Sequence, residues 1–521
     1  MCSRSSQAAL LLLTLAGCGK AEPPAATPDP KLAEAKKLLA DAGFGDGKGF
    51  PRLEVLYNTD EYHRQIASAI QEMWRVNLGI TVELRNMEFP VMMGAVHRGD
   101  FQIARQGYIG EYSDPLAFLE LFTEDSRSNP TGWTSASFEE LIAASNDAAD
   151  PAQRLELLQR AETLLIEEAP LFPIFHYVAH NLIKPFVKGV YLNSRDIHPL
   201  QGVTLEGEGA PKDGVLIFNG GAEPQSIDPA LSRDIGGYKI LMHLLEGLVM
   251  PDEKDGAPRA ALAERWEVSD DGKTFTFHLR DAKWSNGDPV TAGDFVYAWR
   301  RVVTPATGSG YSHRMYVVEN AREIVKGEKK PDTLGVRALD DRTLAVRLVR
   351  RTPYFLQLVC MNPYFPVHRP TVEKYGAKFM DPQHAVVNGP YRMTEWTIKQ
   401  RKVFEKNPSY RDAASVKLSK FIFLGIESAE TAFKYYETGQ CHWLFRVPLP
   451  VVDIQRPDHY VNPYNGCYFY VFNTLKKPLD DVRVRRALGM AIDRDKICKY
   501  ILRGGETPAL RLVPPTSLPP R

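Results

Sequence analysis

Two carboxylates lie three residues apart in the stretch QGYIGEYSDPLAF (residues 106–118), among the rings of Tyr108, Tyr112 and Phe118. A pair of carboxylic acids can act as the general acid and base of a glycosidase. A single carboxylate between aromatic rings can instead bind an ammonium group, because ion pairing and cation–π attraction act together there. The residue types alone leave both an enzyme and a receptor open.

The neighbours of the two acids separate their roles. Asp114 directly precedes Pro115, and this pair is typical of the N-terminus of a helix, here PLAFLELF. Glu111, between Tyr108 and Tyr112, is then the one acid without a structural explanation, which favours binding of an ammonium ligand. A solvated loop acid is the alternative interpretation.

Other candidate chemistry is weaker. His176 and His180 are four residues apart, but the alternating pattern around them predicts a strand, in which they would lie about 13 Å apart. No HExxH, GxSxG or Walker motif occurs. The glycine-rich segment 43–49 ends a predicted helix, which favours a turn over a phosphate-binding loop. These segments therefore indicate neither a metal site nor a phosphate-binding loop.

Composition and charge indicate a globular protein of several domains. The chain has 521 residues, which suggests about three domains at roughly 150 residues each. Its 64 Lys and Arg residues balance 64 Asp and Glu residues. Because no long run of like charges occurs, nucleic-acid binding is not expected. The apolar content of 44% is sufficient for packed cores.

Residues 1–17 have the pattern of a signal peptide, with an early arginine, an apolar run and small residues before Cys18. The ten apolar residues span about 15 Å as a helix, which is too short to cross a bilayer. Residues 15–18 (Leu-Ala-Gly-Cys) resemble a bacterial lipobox, which predicts a lipidated Cys18 that anchors the protein in the periplasm or at the cell surface. An ordinary signal peptide containing a cysteine is the alternative. Residues 18–27 are rich in Pro and Ala and are predicted to form a tether.

Four cysteines would remain after processing, in a compartment that permits disulfides: Cys360, Cys441, Cys467 and Cys498. No pair has CxxC spacing, which argues against zinc-ribbon and thioredoxin-like sites. Four cysteines allow three full pairings, and their spacing does not choose among them.

Apolar periodicity predicts alternating helices and strands, and hence α/β layers. Strands are predicted at 52–58, 79–85 and 100–105 and from residue 171, and helices at 29–42, 61–77, 89–97, 137–148, 151–168 and 290–301. Residues 106–118 would then be the loop after the strand at 100–105. The polar, glycine-rich residues 200–214 predict a linker.

Several blocks of sequence resemble the extracellular solute-binding proteins of peptide ABC importers, which include oligopeptide-binding proteins. The longest is ALAERWEVSDDGKTFTFHLRDAKWSNGDPVTAGDFVYAWRR (261–301), and others are VVNGPYRMTEW, NPSYRD, PLDDVRVRRALGMAIDRDKI, LAEAKKLLADAGF, VLYNTDEYHRQIA and QGYIGEYSDP. The resemblance covers almost the whole chain after residue 28. The resemblance implies a periplasmic-binding-protein-like α/β fold, in which two lobes close over a cleft and an extra domain is present.

The order of these blocks differs from that of the family. There, LAEAKKLLADAGF follows PLDDVRVRRALGMAIDRDKI, whereas here it comes first. FVKGVYLNSRDIHPL resembles a family C-terminus and runs through residues 200–214 into VLIFNGGAEPQSIDP, which resembles a family N-terminus. We interpret this order as a circular permutation, for which new termini in an exposed loop are usually tolerated. A rearranged or misassembled gene, whose product neither folds nor binds, is the rival explanation.

The resemblance also implies a division into domains. Residues 28–178 together with 467–521 would form the ligand-clasping lobe, split by the permutation. Residues 179–237 together with 385–466 would form the base lobe, and residues 238–384 the extra domain.

The resemblance implies how a peptide would be bound. In the family, an acid at the position of Glu111, usually Asp, binds the α-ammonium group of the peptide. Glutamate keeps the charge and adds a methylene group. The peptide backbone would pair with Gly107-Tyr108-Ile109 on one lobe and with Arg233-Asp234-Ile235 on the other, as in β-augmentation, which gives affinity without side-chain selectivity.

Five further residues match ligand-binding positions of the family. Arg105 matches an arginine that neutralises the carboxylate of a short peptide, and His63 matches a histidine that meets the carboxylate of a longer one. Tyr311, Tyr177 and Phe89 match aromatic pocket positions. Ordinary structural roles are the alternative for Arg105, Tyr177 and Phe89.

Two positions depart from the family. A second arginine of close relatives is Val96 here, which weakens the expected recognition of the carboxylate of the shortest peptides. Cys467 matches a half-cystine whose partner position is Ile109 here, so that disulfide is not expected.

The resemblance therefore implies a monomeric binding component of an importer. It would capture short peptides between two lobes, close about a hinge and deliver the peptide to a membrane permease, without catalysis or a cofactor. Within the same fold, a sugar, haem or a metal chelate is an alternative ligand. A glycoside hydrolase is the alternative from another class, and it requires a second acid about 5–10 Å from Glu111.

Overall fold

The computed structural model describes residues 30–518 except 125, 127, 446, 449–450 and 452–455. The predicted signal peptide, the tether and Cys18 lie outside these residues. The helices described are Pro30–Asp41, Glu61–Leu78, Phe89–His97, Leu116–Leu119, Ala136–Asp147, Pro151–Glu168, Ile235–Leu244, Ala292–Val303, Ala321–Val325, Phe355–Val359, Arg369–Tyr375, Ala429–Glu437, Val482–Met490 and Arg494–Lys496. None of them has the length and apolar character needed to cross a membrane.

The strands are numbered in chain order. They are β1 Leu53–Asn58, β2 Val82–Met87, β3 Ile103–Ile109, β4 Leu171–Ile183, β5 Val187–Lys188, β6 Thr204–Leu205, β7 Val215–Asn219, β8 Val249–Pro251, β9 Pro258–Ala260, β10 Ala263–Val268, β11 Thr274–Leu279, β12 Val336–Asp340, β13 Thr343–Arg347, β14 Tyr391–Thr397, β15 Arg401–Lys406, β16 Lys420–Leu424, β17 Trp443–Leu444, β18 His459–Phe472 and β19 Thr507–Pro508.

One large mixed sheet forms the frame of the molecule, in the order β14-β15-β16-β7-β17-β4-β18-β3-β1-β2, with β19 beside β4. The pairs β1–β2, β1–β3, β7–β16 and β7–β17 are parallel, and the others in this sheet are antiparallel. Helices between these strands pack on the sheet, which confirms the predicted α/β class.

The two longest strands, β4 and β18, run through the middle of this sheet and pair with each other. On one side of this pair, β18 lies beside β3, which is followed by β1 and β2. On the other side, β4 lies beside β17, which is followed by β7. Their register shifts between Pro463 and Cys467. These two strands therefore connect the two ends of the sheet.

Segments from the two ends of the sequence share one core. Helix Pro30–Asp41 packs against helix Val482–Met490, and the Arg483 guanidinium donates to the Asp41 carbonyl at 2.7 Å. Trp74 is fully buried, and its indole N–H donates to the Leu488 carbonyl at 2.8 Å. This core includes Ala35, Leu39, Ile66, Ile70, Leu479, Val484, Leu488 and Ile492.

A second, four-stranded sheet in the order β10-β11-β13-β12 lies between residues 263 and 347. The amphipathic helix Ala292–Val303 covers it, and the predicted N-cap Thr291 forms a capping box with Asp294. The helix buries Phe295 and Trp299, while its polar residues Asp294, Arg300 and Arg301 are half-buried.

Two predicted strands are displaced. The strand expected at 79–85 begins only at Val82, because Gly79, with φ of 70°, ends the preceding helix. The strand expected at 100–105 is Ile103–Ile109, so residues 106–109 are strand and not loop. Pairing of β3 with Gly466–Phe472 of β18 extends it, a contact that local sequence does not reveal.

The four cysteines of the described chain are buried and free, so none of the three pairings forms. Cys467 lies opposite Tyr108 in the sheet, one residue from Ile109. His176 and His180 both lie on β4, as predicted, and no group of three or more potential metal ligands occurs among the residues that the structure describes.

Candidate functional site

Strand β3 carries the centre of the predicted site. Along one edge it pairs with β18 over its whole length, but along the other edge β1 pairs only with Ile103 and Ala104. The edge from Arg105 to Ile109 therefore has no paired strand within the described chain. Gly107, in the middle of this edge, is exposed. An unpaired run of backbone N–H and C=O groups can receive an extended peptide.

Glu111 lies just beyond the C-terminal end of β3, and its oxygens face different partners. Its Oε2 lies 2.6 Å from Nη2 of Arg314, whereas its Oε1 is 3.5 Å from the Tyr311 hydroxyl. The Glu111 carbonyl accepts a 2.6 Å hydrogen bond from Arg195. Glu111 is thus held from several sides and is not the lone carboxylate that the sequence suggested.

Arg314 bridges two carboxylates. Its Nη2 contacts Glu111, and its Nη1 lies 2.7 Å from Oε1 of Glu120. Burial opposes the charge of Arg314, but Glu111 and Glu120 raise its pKa well above the usual value. Burial also raises the pKa of Glu120, although Arg314 opposes that shift. The three side chains form a charged cluster that is mostly withdrawn from solvent.

Asp114 has a structural role, as predicted. Its carboxylate forms a buried two-pronged ion pair with Arg154, at 2.7 and 2.9 Å, and Oδ1 also accepts from the Leu116 amide. The short helix begins at Leu116, with Pro115 at the cap position. Asp114 is therefore committed to holding the loop that carries Glu111.

Arg105 lies at the opposite end of the open edge of β3. Its guanidinium donates to Asn58 at 3.3 Å and to the Tyr177 hydroxyl at 3.1 Å, and it stacks over the Tyr468 ring at 4.6 Å. Burial by itself lowers the pKa of Arg105, but the phenol oxygens of Tyr177 and Tyr468 leave it raised. The described chain provides no carboxylate partner for this cation, so it is available to a ligand carboxylate.

His63 completes this end. It lies in the first turn of helix Glu61–Leu78, and its Nδ1 is 3.3 Å from the Tyr468 hydroxyl. Burial and then the charge of Arg105 lower the pKa of His63 to about 4, with Asp60 acting in the opposite direction. His63 is therefore neutral near pH 7.

The remaining predicted residues divide into two groups. Tyr311 lies beside Glu111 and donates to the Arg233 carbonyl at 3.1 Å, which brings Arg233 close to Glu111, at the acidic end of the open edge. Asp234 is extended, but Ile235 is the first residue of a helix that Asp234 caps, so the predicted three-residue pairing segment ends before Ile235. Phe89 is 52% exposed, and no hydrogen bond or ring contact among the described residues joins it to either end.

Sequence reasoning missed four contributors: Arg314, Glu120, Asn58 and Tyr468. Arg314 is three residues after Tyr311, and Asn58 is in the block that contains His63, so both lay close to residues already identified. Glu120 and Tyr468 carried no local signal. Val96, the position of the absent second arginine, is buried in the core.

These contacts place an acidic end and a basic end at opposite ends of one open strand edge. From Arg105 to Ile109 the strand rises about 13 Å, at about 3.3 Å per residue. An extended peptide has the same rise, and so could present its ammonium group to Glu111 and its carboxylate to Arg105. The geometry suits a zwitterionic, extended ligand.

The family of the chain follows from a comparison with known proteins. The family model described as "Bacterial extracellular solute-binding proteins, family 5 Middle" matches residues 14–130 and 257–520, which is more than half of the sequence. The chain belongs to this family, whose members bind solutes.

Curated relatives agree with this assignment. The periplasmic oligopeptide-binding protein OppA of Salmonella typhimurium is 38% identical over 309 residues, covering 58% of this chain and 56% of OppA. The dipeptide-binding protein DppE of Bacillus subtilis is 37% identical over 305 residues, with the same shares. The probable deoxycholate-binding periplasmic protein YgiS of Escherichia coli is 36% identical over 308 residues, covering 58% of this chain and 57% of YgiS. The chain thus matches little more than half the length of these relatives.

A solved structure supports the fold. The murein tripeptide binding protein MppA of Escherichia coli is 36% identical, and the match covers 58% of this chain and 60% of that chain with a TM-score of 0.52. The predicted periplasmic-binding-protein-like α/β fold is therefore confirmed.

Proposed function

We propose that this protein is the extracytoplasmic binding component of an ABC importer and captures short peptides. The observation that carries the proposal is the open edge of β3, with Glu111 at one end and at the other Arg105, a cation to which the described residues offer no carboxylate. The peptide ammonium binds Glu111, the carboxylate binds Arg105, and the backbone pairs with residues 107–109. At about 3.3 Å per residue, the span from Arg105 to Glu111 suits peptides of roughly three to six residues.

The proposed lobes are the two ends of the large sheet. The proposed borders at 178/179 and 466/467 fall within β4 and β18, the two strands common to both ends. The register shift between Pro463 and Cys467 supports a bend at this place. Residues 28–178 with 467–521 clasp the ligand, residues 179–237 with 385–466 form the base, and residues 238–384 form the extra domain. The lobes close about β4 and β18.

The permuted order of blocks is part of the proposal. The shared core of helix Pro30–Asp41 and helix Val482–Met490 supports a lobe built from both ends of the sequence. Matches that cover only 58% of the chain are expected if a collinear alignment can follow just one of two exchanged blocks. A variant in which residues 214–521 precede residues 28–205 should fold to a protein with the same peptide affinity, and failure to fold would contradict the permutation.

The protein is further proposed to act as a monomer in the periplasm or at the cell surface, anchored by a lipidated Cys18, and to deliver its peptide to a membrane permease. The periplasmic relatives support the location. Mass spectrometry of the membrane-associated protein would detect the lipid on Cys18, and a Cys18→Ala variant would be released.

The test of the binding mode uses isothermal titration calorimetry with a tripeptide and its N-acetylated form. The native protein should bind the free amine at least about 30-fold more tightly, since a buried charge pair is worth about 2–5 kcal/mol. Glu111→Gln should abolish this preference, whereas Glu72→Gln, which removes an exposed acid paired with Arg75, should keep it. Equal binding of both peptides by the native protein would refute the proposal. So would tight binding of deoxycholate, the ligand in the name of YgiS, by a protein that does not bind peptides.

A further inference from the structure

Arg314 reaches the acidic end from outside the sheet. It lies in the short helical turn Ser312–Met315, and its carbonyl accepts a 2.7 Å hydrogen bond from the Tyr364 hydroxyl. The Tyr364 carbonyl in turn accepts from Trp299, which is fully buried. The packed core of residues 292–364 therefore fixes the position of Arg314.

Arg314 occupies one oxygen of Glu111 and leaves the other open. Oε2 is in contact with Arg314, whereas among the described residues Oε1 has only the Tyr311 hydroxyl at 3.5 Å, beyond the usual 2.5–3.0 Å of an O–H···O hydrogen bond. A carboxylate has about four acceptor positions. Glu111 can thus accept an ammonium group at Oε1 while Arg314 stays in place.

The charges around Glu111 balance. Glu111 and Glu120 contribute two negative charges and Arg314 one positive charge, and the three side chains are between 12% and 29% exposed. Arg195 also approaches, but it donates to the Glu111 carbonyl and not to the carboxylate. With the guanidinium of Arg195 counted, two negative charges face two positive charges, so the cluster holds no surplus negative charge for a second cation on the ligand.

We propose that Arg314 is a specificity-determining residue, which disfavours ligands whose first residue has a positively charged side chain. The inference rests on the proposed function and deepens it. A first residue with a neutral side chain brings only its α-ammonium group, which Glu111 binds at Oε1. A lysine or arginine there adds a second positive charge close to Arg314, which repels it.

The size of the effect follows from the charges. At a separation of about 7 Å, two unit charges at an effective dielectric constant of about 20 interact strongly enough for roughly a tenfold change in affinity after partial screening. Arg314→Met removes the repulsion and leaves two carboxylates, so peptides with a cationic first residue should bind more tightly relative to peptides with a neutral one.

The test measures one ratio by calorimetry, the affinity for Lys-Ala-Ala divided by that for Ala-Ala-Ala. In Arg314→Met the ratio should rise about tenfold. In Arg314→Lys, which keeps the charge, it should stay as in the native protein. In Glu120→Gln, which removes one negative charge behind Arg314, it should fall severalfold. The ratio does not depend on the fraction of folded protein, and Glu120→Gln provides the opposite sign if Arg314→Met does not fold.

A ratio that is unchanged in Arg314→Met and in Glu120→Gln, with normal binding of Ala-Ala-Ala, would overturn the assignment of Arg314 alone. A native protein that binds neither peptide would instead refute the proposed function. The two failures are therefore distinguishable.

Discussion

Replacement of Arg105 by methionine should remove recognition of the peptide carboxylate. Arg105 is a half-buried cation held by Asn58, Tyr177 and the ring of Tyr468, and the described chain gives it no acidic partner. Two unit charges 4 Å apart at an effective dielectric constant of about 20 attract by about 4 kcal/mol. Desolvation of the carboxylate reduces this gain, so we expect a net loss of about 3 kcal/mol, or roughly 100-fold in affinity.

The assay compares a tripeptide acid with the matching C-terminal amide by isothermal titration calorimetry. The native protein should prefer the acid by about 100-fold, and Arg105→Met should bind the two ligands alike, because the missing charge acts only on the carboxylate. Methionine keeps much of the apolar stem, which limits other changes of packing on Tyr468.

The control is Arg98→Met, which removes an exposed arginine paired with Asp100 in the same part of the fold. It should retain the full preference for the acid. An Arg105→Met protein that still prefers the acid by about 100-fold would refute the reasoning, since the carboxylate would then bind elsewhere.

Three further predictions follow from the structure. The pKa of His63 is lowered to about 4, so between about pH 6.5 and pH 4 the unfolded chain holds more protons than the folded one, and the free energy of unfolding decreases as the pH decreases. His63→Gln should reduce this loss by up to about 3 kcal/mol, measured by urea unfolding at the two pH values. An equal loss in both proteins would contradict the shift. Gly107→Ala should weaken tripeptide binding by about 1–3 kcal/mol in calorimetry. The Cβ of the alanine would lie 2.6 Å from the Tyr177 hydroxyl and 3.1 Å from the Arg105 guanidinium, so these side chains would have to move. Unchanged affinity would argue against this edge as the binding surface. Arg154→Met should destabilise the fold by about 3–5 kcal/mol in denaturant unfolding, since it leaves the buried Asp114 carboxylate unpaired. The control Arg64→Met, at an exposed pair, should cost less than about 1 kcal/mol. Similar losses in the two variants would be inconsistent with this account.

The predictable parts of the fold are those with local signals. Helix Glu61–Leu78 has the N-cap Asp60 and ends at Gly79, and helix Ala292–Val303 has a capping box at Thr291, so both were located from sequence to within about two residues. The end of β3 was missed because its last four residues are strand only through pairing with β18, more than 350 positions later. Tertiary pairing of this kind overrides local pattern.

The site divides in the same way. Glu111 was found because its aromatic neighbours are adjacent in sequence, and Asp114 because Pro115 follows it. The ion pair of Glu111 with Arg314 joins residues about 200 positions apart, and no local rule connects them. Arg105 and His63 came from a family resemblance, and the structure adds the physical reason that they act together, a shared contact with Tyr468.

The central claim is that a peptide lies along β3 between Glu111 and Arg105. Native mass spectrometry of the protein purified from cells without added ligand, followed by denaturation and identification of what is released, tests it most directly. The account predicts a ladder of short peptides that is absent from Glu111→Gln and retained by Glu72→Gln. A folded protein that carries a different kind of molecule, or that stays empty and ignores added peptides, would contradict it.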